Sequence, residues 1–419
     1  MRLEEAILQI IEQTRFDALT ESEIDRIQTL LMHDAAMGSA AGGHPLVLSL
    51  IEDADGLLGD NGYTLLGNTQ KCLSNDLAVQ YNAMAVTVSI REDFVAGTHP
   101  GAILFPLLIA ESERKTYAFD RRIESAALGL RLARLLNSRL GKALADKGFR
   151  ATTVIGSIAG AGALAWLKEQ SAEYVLKAMS AAASAASGLA YPFQEGSEEW
   201  LVQVPIAAQI ANIASRNMKS LTYSHDQFLS GTYSLGSFLQ MEFDPDMKLD
   251  LAQETDLLKI GVKRHPVNSF VQPVIEALLS MIETAVQEII KVTVKVPVSY
   301  PKNAYLTHTG PFERPNLSLL SIPVSSAIAI ARGGISYEDF QAANDPEILE
   351  LAKRFEIIYD SELTSYDVRV TMHLQNGEQS AHVETAQFYP SLEDELKWIQ
   401  DQHRHVLPWI DKLSKAWME

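Results

Sequence analysis

His99 stands in the run Gly97-Thr98-His99-Pro100-Gly101, with Glu92-Asp93 shortly before it. Proline fixes the backbone on one side of this histidine and glycine frees it on the other, so the ring is presented from a turn. Imidazole has an unperturbed pKa of about 6.5 and is the natural proton carrier at neutral pH. Asp93 is the carboxylate placed to orient the ring or to meet a substrate. The plainer reading of His99 is a cap on a helix beginning at Ala102. Far along the chain lies Lys263-Arg264-His265-Pro266. Adjacent cations clamp a carboxylate, Arg as a planar fork and Lys as a point charge. They also stabilise the enolate-like state left when an α-proton departs. The plainer reading of this pair is a solvated basic turn. Between the two runs, Gly148-Phe149-Arg150-Ala151-Thr152-Thr153 leads into the small-residue stretch Gly156-Ser157-Ile158-Ala159-Gly160-Ala161-Gly162. Together these are the parts needed to move a proton next to a carboxylate.

The elements that must position them read as helices first and a mixed region later. Ile7, Ile10 and Ile11 recur at helical spacing, and Thr20-Glu21-Ser22-Glu23 has the form of a capping box. Further helices are expected over Ala102–Glu113, Ile123–Leu140, Gly156–Glu169, Ala172–Ser187 and Pro205–Arg216. Their many Ala, Gly and Ser residues imply closely packed backbones. A helix from Pro273 to Glu288 leads into Ile289–Val296, which alternates with period two and is rich in β-branched residues, hence a strand. Val368–Leu374 and Gln379–Glu384 flank Asn376-Gly377, a hairpin signal. Helices over Ser325–Ala331 and Pro346–Lys353 lie between the strands, and Pro390 to Trp409 returns to helix. The expected fold is mainly α: a large helical domain over 1–261, an inserted smaller α+β lid domain over 262–388, and C-terminal helices over 389–419 that rejoin the first.

In this order the motifs resemble the MmgE/PrpD family, which includes 2-methylcitrate dehydratase, cis-aconitate decarboxylase and iminodisuccinate epimerase. The resemblance runs over nearly the whole chain and implies the same layout, a helical domain with an inserted lid. It places the family's His-Pro site residue on His99 and its Lys-x-x-Pro element on Lys263. It also implies a homodimer paired through the helical domain, in keeping with the flat faces that small-residue helices offer.

The chain departs from the family pattern at several points. Ser89 stands where an aspartate is often found. Arg150 follows Gly-Phe in place of a histidine, and Asn268 and Gln272 replace histidines after the lysine. Gln194-Glu195-Gly196-Ser197-Glu198-Glu199-Trp200 carries acids where relatives carry Lys and His, and Ser321-Ile322-Pro323-Val324 lacks a tyrosine. Asn268 and Gln272 can still hydrogen-bond a carbonyl or hydroxyl without charge. The expected substrate contacts are therefore Arg264, Arg150, Thr152, Asn268, Gln272, Glu199 and Ser321, around catalytic His99, Lys263 and Asp93. Such a pocket disfavours citrate, methylcitrate and cis-aconitate and suits a specialised, biosynthetic small acid. The expected activity is that of a cofactor-independent lyase or isomerase, ending in dehydration, epimerisation or cyclisation. The alternative is an inactive protein that keeps the fold for binding or scaffolding.

Composition narrows the partners. The 419 residues carry a net charge of −18. That balance argues against nucleic acid and anionic membranes, and a substrate carboxylate needs a local cationic pocket. A single cysteine, Cys72, excludes an internal disulfide framework and fits the cytoplasm. The acidic start Met1-Arg2-Leu3-Glu4-Glu5 does not read as a signal peptide, and no apolar run is expected to reach the roughly 18–20 residues of a membrane span. The scattered histidines show no metal-ligand spacing, and Gly156–Gly162 lacks the signature of a phosphate loop.

Overall fold

A computed structural model describes the chain from residue 3 to 418, apart from 55, 170, 217–221, 223–226, 242–248, 282–287 and 303–304. The fold is mainly α with a smaller α+β part, and it divides into two compact units. The first is Met1–Ala190, Glu199–Val262 and Pro390–Glu419; the second is Tyr191–Glu198 and Lys263–Tyr389.

In chain order the first unit holds α1 (Leu3–Gln13), α2 (Glu21–Ala40), α3 (Pro45–Glu52), a small sheet of β1 (Leu58–Gly59), β2 (Tyr63–Thr64) and β3 (Lys71–Cys72), and α4 (Asn75–Val88). After β4 (Asp93–Phe94) come α5 (Gly101–Arg114), α6 (Phe119–Asp146), α7 (Ala151–Glu169) and α8 (Ala172–Ala185). The second unit takes α9 (Tyr191–Glu195), and the first resumes with α10 (Glu199–Ala214), α11 (Leu235–Phe238), α12 (Leu251–Glu254) and β5 (Gly261–Val262). Thr20 opens α2 through the expected capping box: its hydroxyl accepts from the Glu23 amide at 3.2 Å, and the Glu23 carboxylate accepts from the Thr20 amide at 2.9 Å. α7 is the centre of this unit, packed by α5, α6, α8 and α10. Its small residues are what allow the approach: a Cβ on Gly156 would lie 2.3 Å from Ile103 Cδ1. At 19 residues α7 is long and apolar enough to cross a membrane, contrary to the expectation that no run reaches that length, but 89% of the apolar window is buried inside the fold. It packs as a core helix because its own small residues let α5, α6, α8 and α10 close around it.

The second unit is built on a four-stranded sheet of β6 (Ile289–Pro297), β7 (Phe355–Asp360), β8 (Val368–Leu374) and β9 (Gly377–Val383), in the order β7-β6-β8-β9. β6 runs parallel to β7 and antiparallel to β8. β6 alternates as expected, with Val292, Val294 and Val296 fully buried. In the β8–β9 hairpin Leu374 pairs with Gly377, so Gln375-Asn376 form the turn and Gly377, at φ 140°, opens the next strand. The turn therefore sits one residue before the expected Asn376-Gly377. α13 (Gln272–Leu279) covers part of the expected Pro273–Glu288 helix, whose 282–287 portion lies outside the described residues; α14 (Ile322–Arg332) and α15 (Pro346–Ala352) follow. α16 (Leu392–Gln402) and α17 (Leu407–Met418) return to the first unit, against α2.

The units differ from the sequence-based bounds by one residue each at Val262 and Tyr389, and by a whole segment in one further place. Tyr191–Glu198 belongs to the second unit, not to the helical domain. Its polar groups find partners there: the Tyr305 hydroxyl donates to the Gln194 carbonyl at 3.1 Å, and Glu198 accepts from Asn316 and Tyr337 at 2.7 Å each.

Candidate active site

β4 pairs antiparallel with β5, Asp93 opposite Val262 and Phe94 opposite Gly261. A tight turn then follows, in which Val95 and Thr98 exchange backbone hydrogen bonds at 2.9 Å and Ala96 and Gly97 take positive φ. This turn brings His99 back over β4. Its Nδ1 lies 2.8 Å from the Asp93 carbonyl oxygen and 3.5 Å from Glu92 Oε1. A carbonyl can only accept, so Nδ1 carries the hydrogen and, in the neutral ring, Nε2 carries the lone pair. The ring is 16% exposed while Glu92 is 3% exposed.

Asp93 is fully buried beneath this turn. Its carboxylate accepts from the Gly101 amide at 2.8 Å, at the start of α5, and its backbone carbonyl accepts from His99. The carboxylate beside the ring is that of Glu92. Gly101 is confined as well: a Cβ there would lie 2.2 Å from Asp34 Oδ2 and 2.8 Å from Asp93 Oδ1.

Arg150 is buried and lies in the same unit, just before α7. It donates to the Trp200 carbonyl, and its guanidinium lies 5.4 Å from the centre of the Trp200 ring. Burial pushes its pKa down to about 10, partly offset by the charge of Glu92. Arg150 is thus the cation that accompanies Glu92. Thr152 is buried in the first turn of α7, and Glu199 is exposed at the start of α10. The first unit brings together His99, Glu92, Asp93 and Arg150.

The remaining candidates belong to the second unit. Lys263 is buried at 2% exposure and directly follows β5 along the chain; Arg264 is half-buried. Gln272, expected to meet substrate, is fully spent on this loop. Its Oε1 accepts from the Arg264 and His265 amides at 3.0 Å, and its Nε2 donates to the carbonyls of His265 at 2.6 Å and Val267 at 3.2 Å. Four hydrogen bonds exhaust a primary amide, so Gln272 shapes the cationic loop and has nothing left for a ligand. Asn268 is half-buried, and its side-chain oxygen accepts from the Phe270 amide at 3.0 Å. Ser321 caps α14, accepting from Val324 N–H at 3.0 Å and donating to the His308 carbonyl at 2.6 Å, so it too is structural. His265 pairs with Glu276 at 2.9 Å. Burial raises the Glu276 pKa, but the hydrogen bond from His265 and the charges of His265 and Arg264 outweigh it and leave the carboxyl lowered. Among the described residues no three of His, Cys, Asp and Glu converge in a way that would hold a metal ion.

The family model for the MmgE/PrpD N-terminal domain matches residues 5–232. The chain belongs to the MmgE/PrpD family. Members of this family are typically enzymes of the lyase or dehydratase type. The matched span takes in His99, Glu92, Asp93 and Arg150 and ends before Lys263 and Arg264. A comparison with curated proteins gives no match. Two residues under His99 carry no motif that would single them out. His33 and Asp34 are fully buried on α2, a polar pair in the run Leu30-Leu31-Met32-His33-Asp34-Ala35-Ala36. Their one signal in the sequence is that interruption of an apolar stretch.

Proposed function

We propose that this MmgE/PrpD protein is a cofactor-independent lyase or isomerase acting on a small, specialised, biosynthetic acid. His99 Nε2 takes the proton α to a carboxylate or carbonyl, and the electron pair of the broken C–H bond moves onto the carbonyl oxygen as an enolate. Lys263 and Arg264 supply the positive charge that an enolate needs. The enolate then expels a β-substituent, recovers the proton on its other face, or closes on an internal electrophile. The observation that carries this reading is the Nδ1 bond of His99 to the Asp93 carbonyl, with Glu92 alongside. It favours the tautomer whose Nε2 is a base, as a proton-abstracting histidine requires.

The test is solvent deuterium exchange into a panel of small carboxylic and keto acids. Wild-type protein exchanges the α-proton of its substrate, and His99→Asn, which keeps the turn, slows exchange by about 10²–10⁴-fold. Lys263→Met raises KM and lowers kcat together, because its charge acts on both the bound acid and the enolate. Chelator leaves the rate unchanged. The consumption of Gln272 and Ser321 by backbone groups favours a second reading, a binding protein that has given up catalysis. Saturable binding of an acid with no exchange in wild type decides for it. We also take the working form to be a homodimer.

A further inference from the structure

We propose that His33, paired with Glu395, and its neighbour Asp34 are positioning residues that hold Glu92 and the Asp93 carbonyl against His99. Consecutive residues of α2 grip the backbone on both sides of Glu92. His33 Nε2 lies 2.6 Å from the Arg91 carbonyl oxygen, and Asp34 Oδ1 accepts from the Asp93 amide at 2.8 Å. Glu92 is the single residue between those two anchors. The residue so held, Asp93, is the one whose carbonyl accepts from His99, and its carboxylate ties the same segment to Gly101.

Proton counting shows why the histidine needs its partner. The Arg91 carbonyl can only accept, so Nε2 of His33 carries a hydrogen. Nδ1 lies 2.9 Å from Glu395 Oε1, and both side chains are fully buried. A bare lone pair facing a bare carboxylate there would be repulsive, so one further proton is shared between ring and carboxyl. Glu395 thereby fixes which nitrogen of His33 faces Arg91. The indole of Trp398, also on α16, stacks on the His33 ring at 6.0 Å. The Arg91 guanidinium reaches His403 Nε2 at 3.4 Å, beyond the end of α16. The C-terminal part of the chain therefore completes the support of a loop that precedes it by some three hundred residues.

The proposal rests on the reading of His99 as the proton carrier, but its test does not need turnover. In the full chain with isotope-labelled histidine, long-range nitrogen–proton spectra report the tautomer and titration of each ring, and the His99 and His33 signals are assigned by their absence in His99→Asn and His33→Leu. Wild type should show His99 in the Nδ1–H form alone at alkaline pH. The variant His33→Leu/Glu395→Leu removes both members of the pair and so strands no buried charge. It should melt as one cooperative unit while His99 loses its single tautomer and shifts its titration. His33→Gln, whose amide can still donate to the Arg91 carbonyl, should restore the wild-type signal. If the double variant does not fold, His33→Phe/Glu395→Gln keeps the ring volume and answers the same question. A folded variant with His99 unchanged in tautomer and titration overturns the proposal. Loss of the tautomer in the double variant, with full proton exchange in His99→Asn, would leave the clamp standing and remove the catalytic reading alone.

Discussion

Glu92 and Asp93 are adjacent carboxylates with different partners: Asp93 accepts from the Gly101 amide, and Glu92 lies beside the His99 ring. Asp93 caps α5, so Asp93→Ala should cost about 1–2 kcal/mol in urea unfolding while the His99 bond to the backbone carbonyl survives. Glu92→Gln should cost more, on the order of 3 kcal/mol, because it leaves the buried Arg150 cation without that charge, and it should also slow proton transfer. Equal losses of stability from the two would show that Arg150 and Glu92 are not energetically coupled. A second contrast concerns Gln272. Its amide makes four hydrogen bonds to the cationic loop, and a histidine ring has only two nitrogens to offer. Gln272→His, although it installs the residue type that relatives carry, should therefore destabilise by about 2–3 kcal/mol. It should create no turnover of citrate, methylcitrate or cis-aconitate. Turnover of any of them by wild type above about 10⁴ M⁻¹s⁻¹ would show that Arg150, Glu198, Glu199, Asn268, Gln272 and Val324 do not exclude these acids.

At the scale of elements, periodicity made α1, α2 and the β6 strand legible, since burial of one face imposes a repeat that a sequence displays. The α7 run was legible as close packing for the same reason: small residues mark where backbones approach. Residues 191–198 were not, because a short segment joins whichever unit satisfies its polar groups, and Tyr305, Asn316 and Tyr337 are remote in sequence. The turn that presents His99 was legible from its flanking Pro and Gly. The His33–Glu395 pair was not, since nothing in a sequence announces a contact spanning the chain. The end of α16 makes its own prediction. Burial, then the charges of Arg91, His405 and His33, push the His403 pKa from 6.5 down to about 4, with Glu395 opposing. The folded form thus binds fewer protons than the unfolded chain between those values. Stability contributed by neutral His403 is complete above about pH 6.5 and is lost as pH falls toward 4. His403 is only half-buried, so solvent screening should hold the loss to about 1 kcal/mol. His403→Gln should flatten the melting temperature over this interval, and an unaltered slope would remove His403 as its source.

For the whole molecule, charge and an apolar helix bear on the same question. A helix apolar on all sides is normally buried on all sides. α10 runs Glu-Trp-Leu-Val-Gln-Val-Pro-Ile-Ala-Ala-Gln-Ile-Ala-Asn-Ile-Ala, with one charged residue at its start. Yet Val202, Ile206 and Ile213 are 37%, 51% and 63% exposed along one face. Leu189 is exposed as well, and its carbonyl accepts from Gln203 of the same helix at 2.9 Å. A cover needed at all times must be available at the chain's own concentration, which a second copy is. Two copies each carrying −18 repel, and the exposed Val202, Ile206 and Ile213 offer a contact whose centre adds no like charge to that repulsion. Sedimentation at micromolar concentration should therefore show a dimer, and Ile206→Glu/Ile213→Glu should give a folded monomer. Salt supplies the discriminating control: at 0.15 M the screening length is about 8 Å and at 1 M about 3 Å, so an apolar contact between like-charged bodies should tighten as salt rises. An interface held by ion pairs would weaken over the same range. A wild-type monomer, or a dimer indifferent to both glutamates, would assign the exposed face of α10 to something other than a second copy.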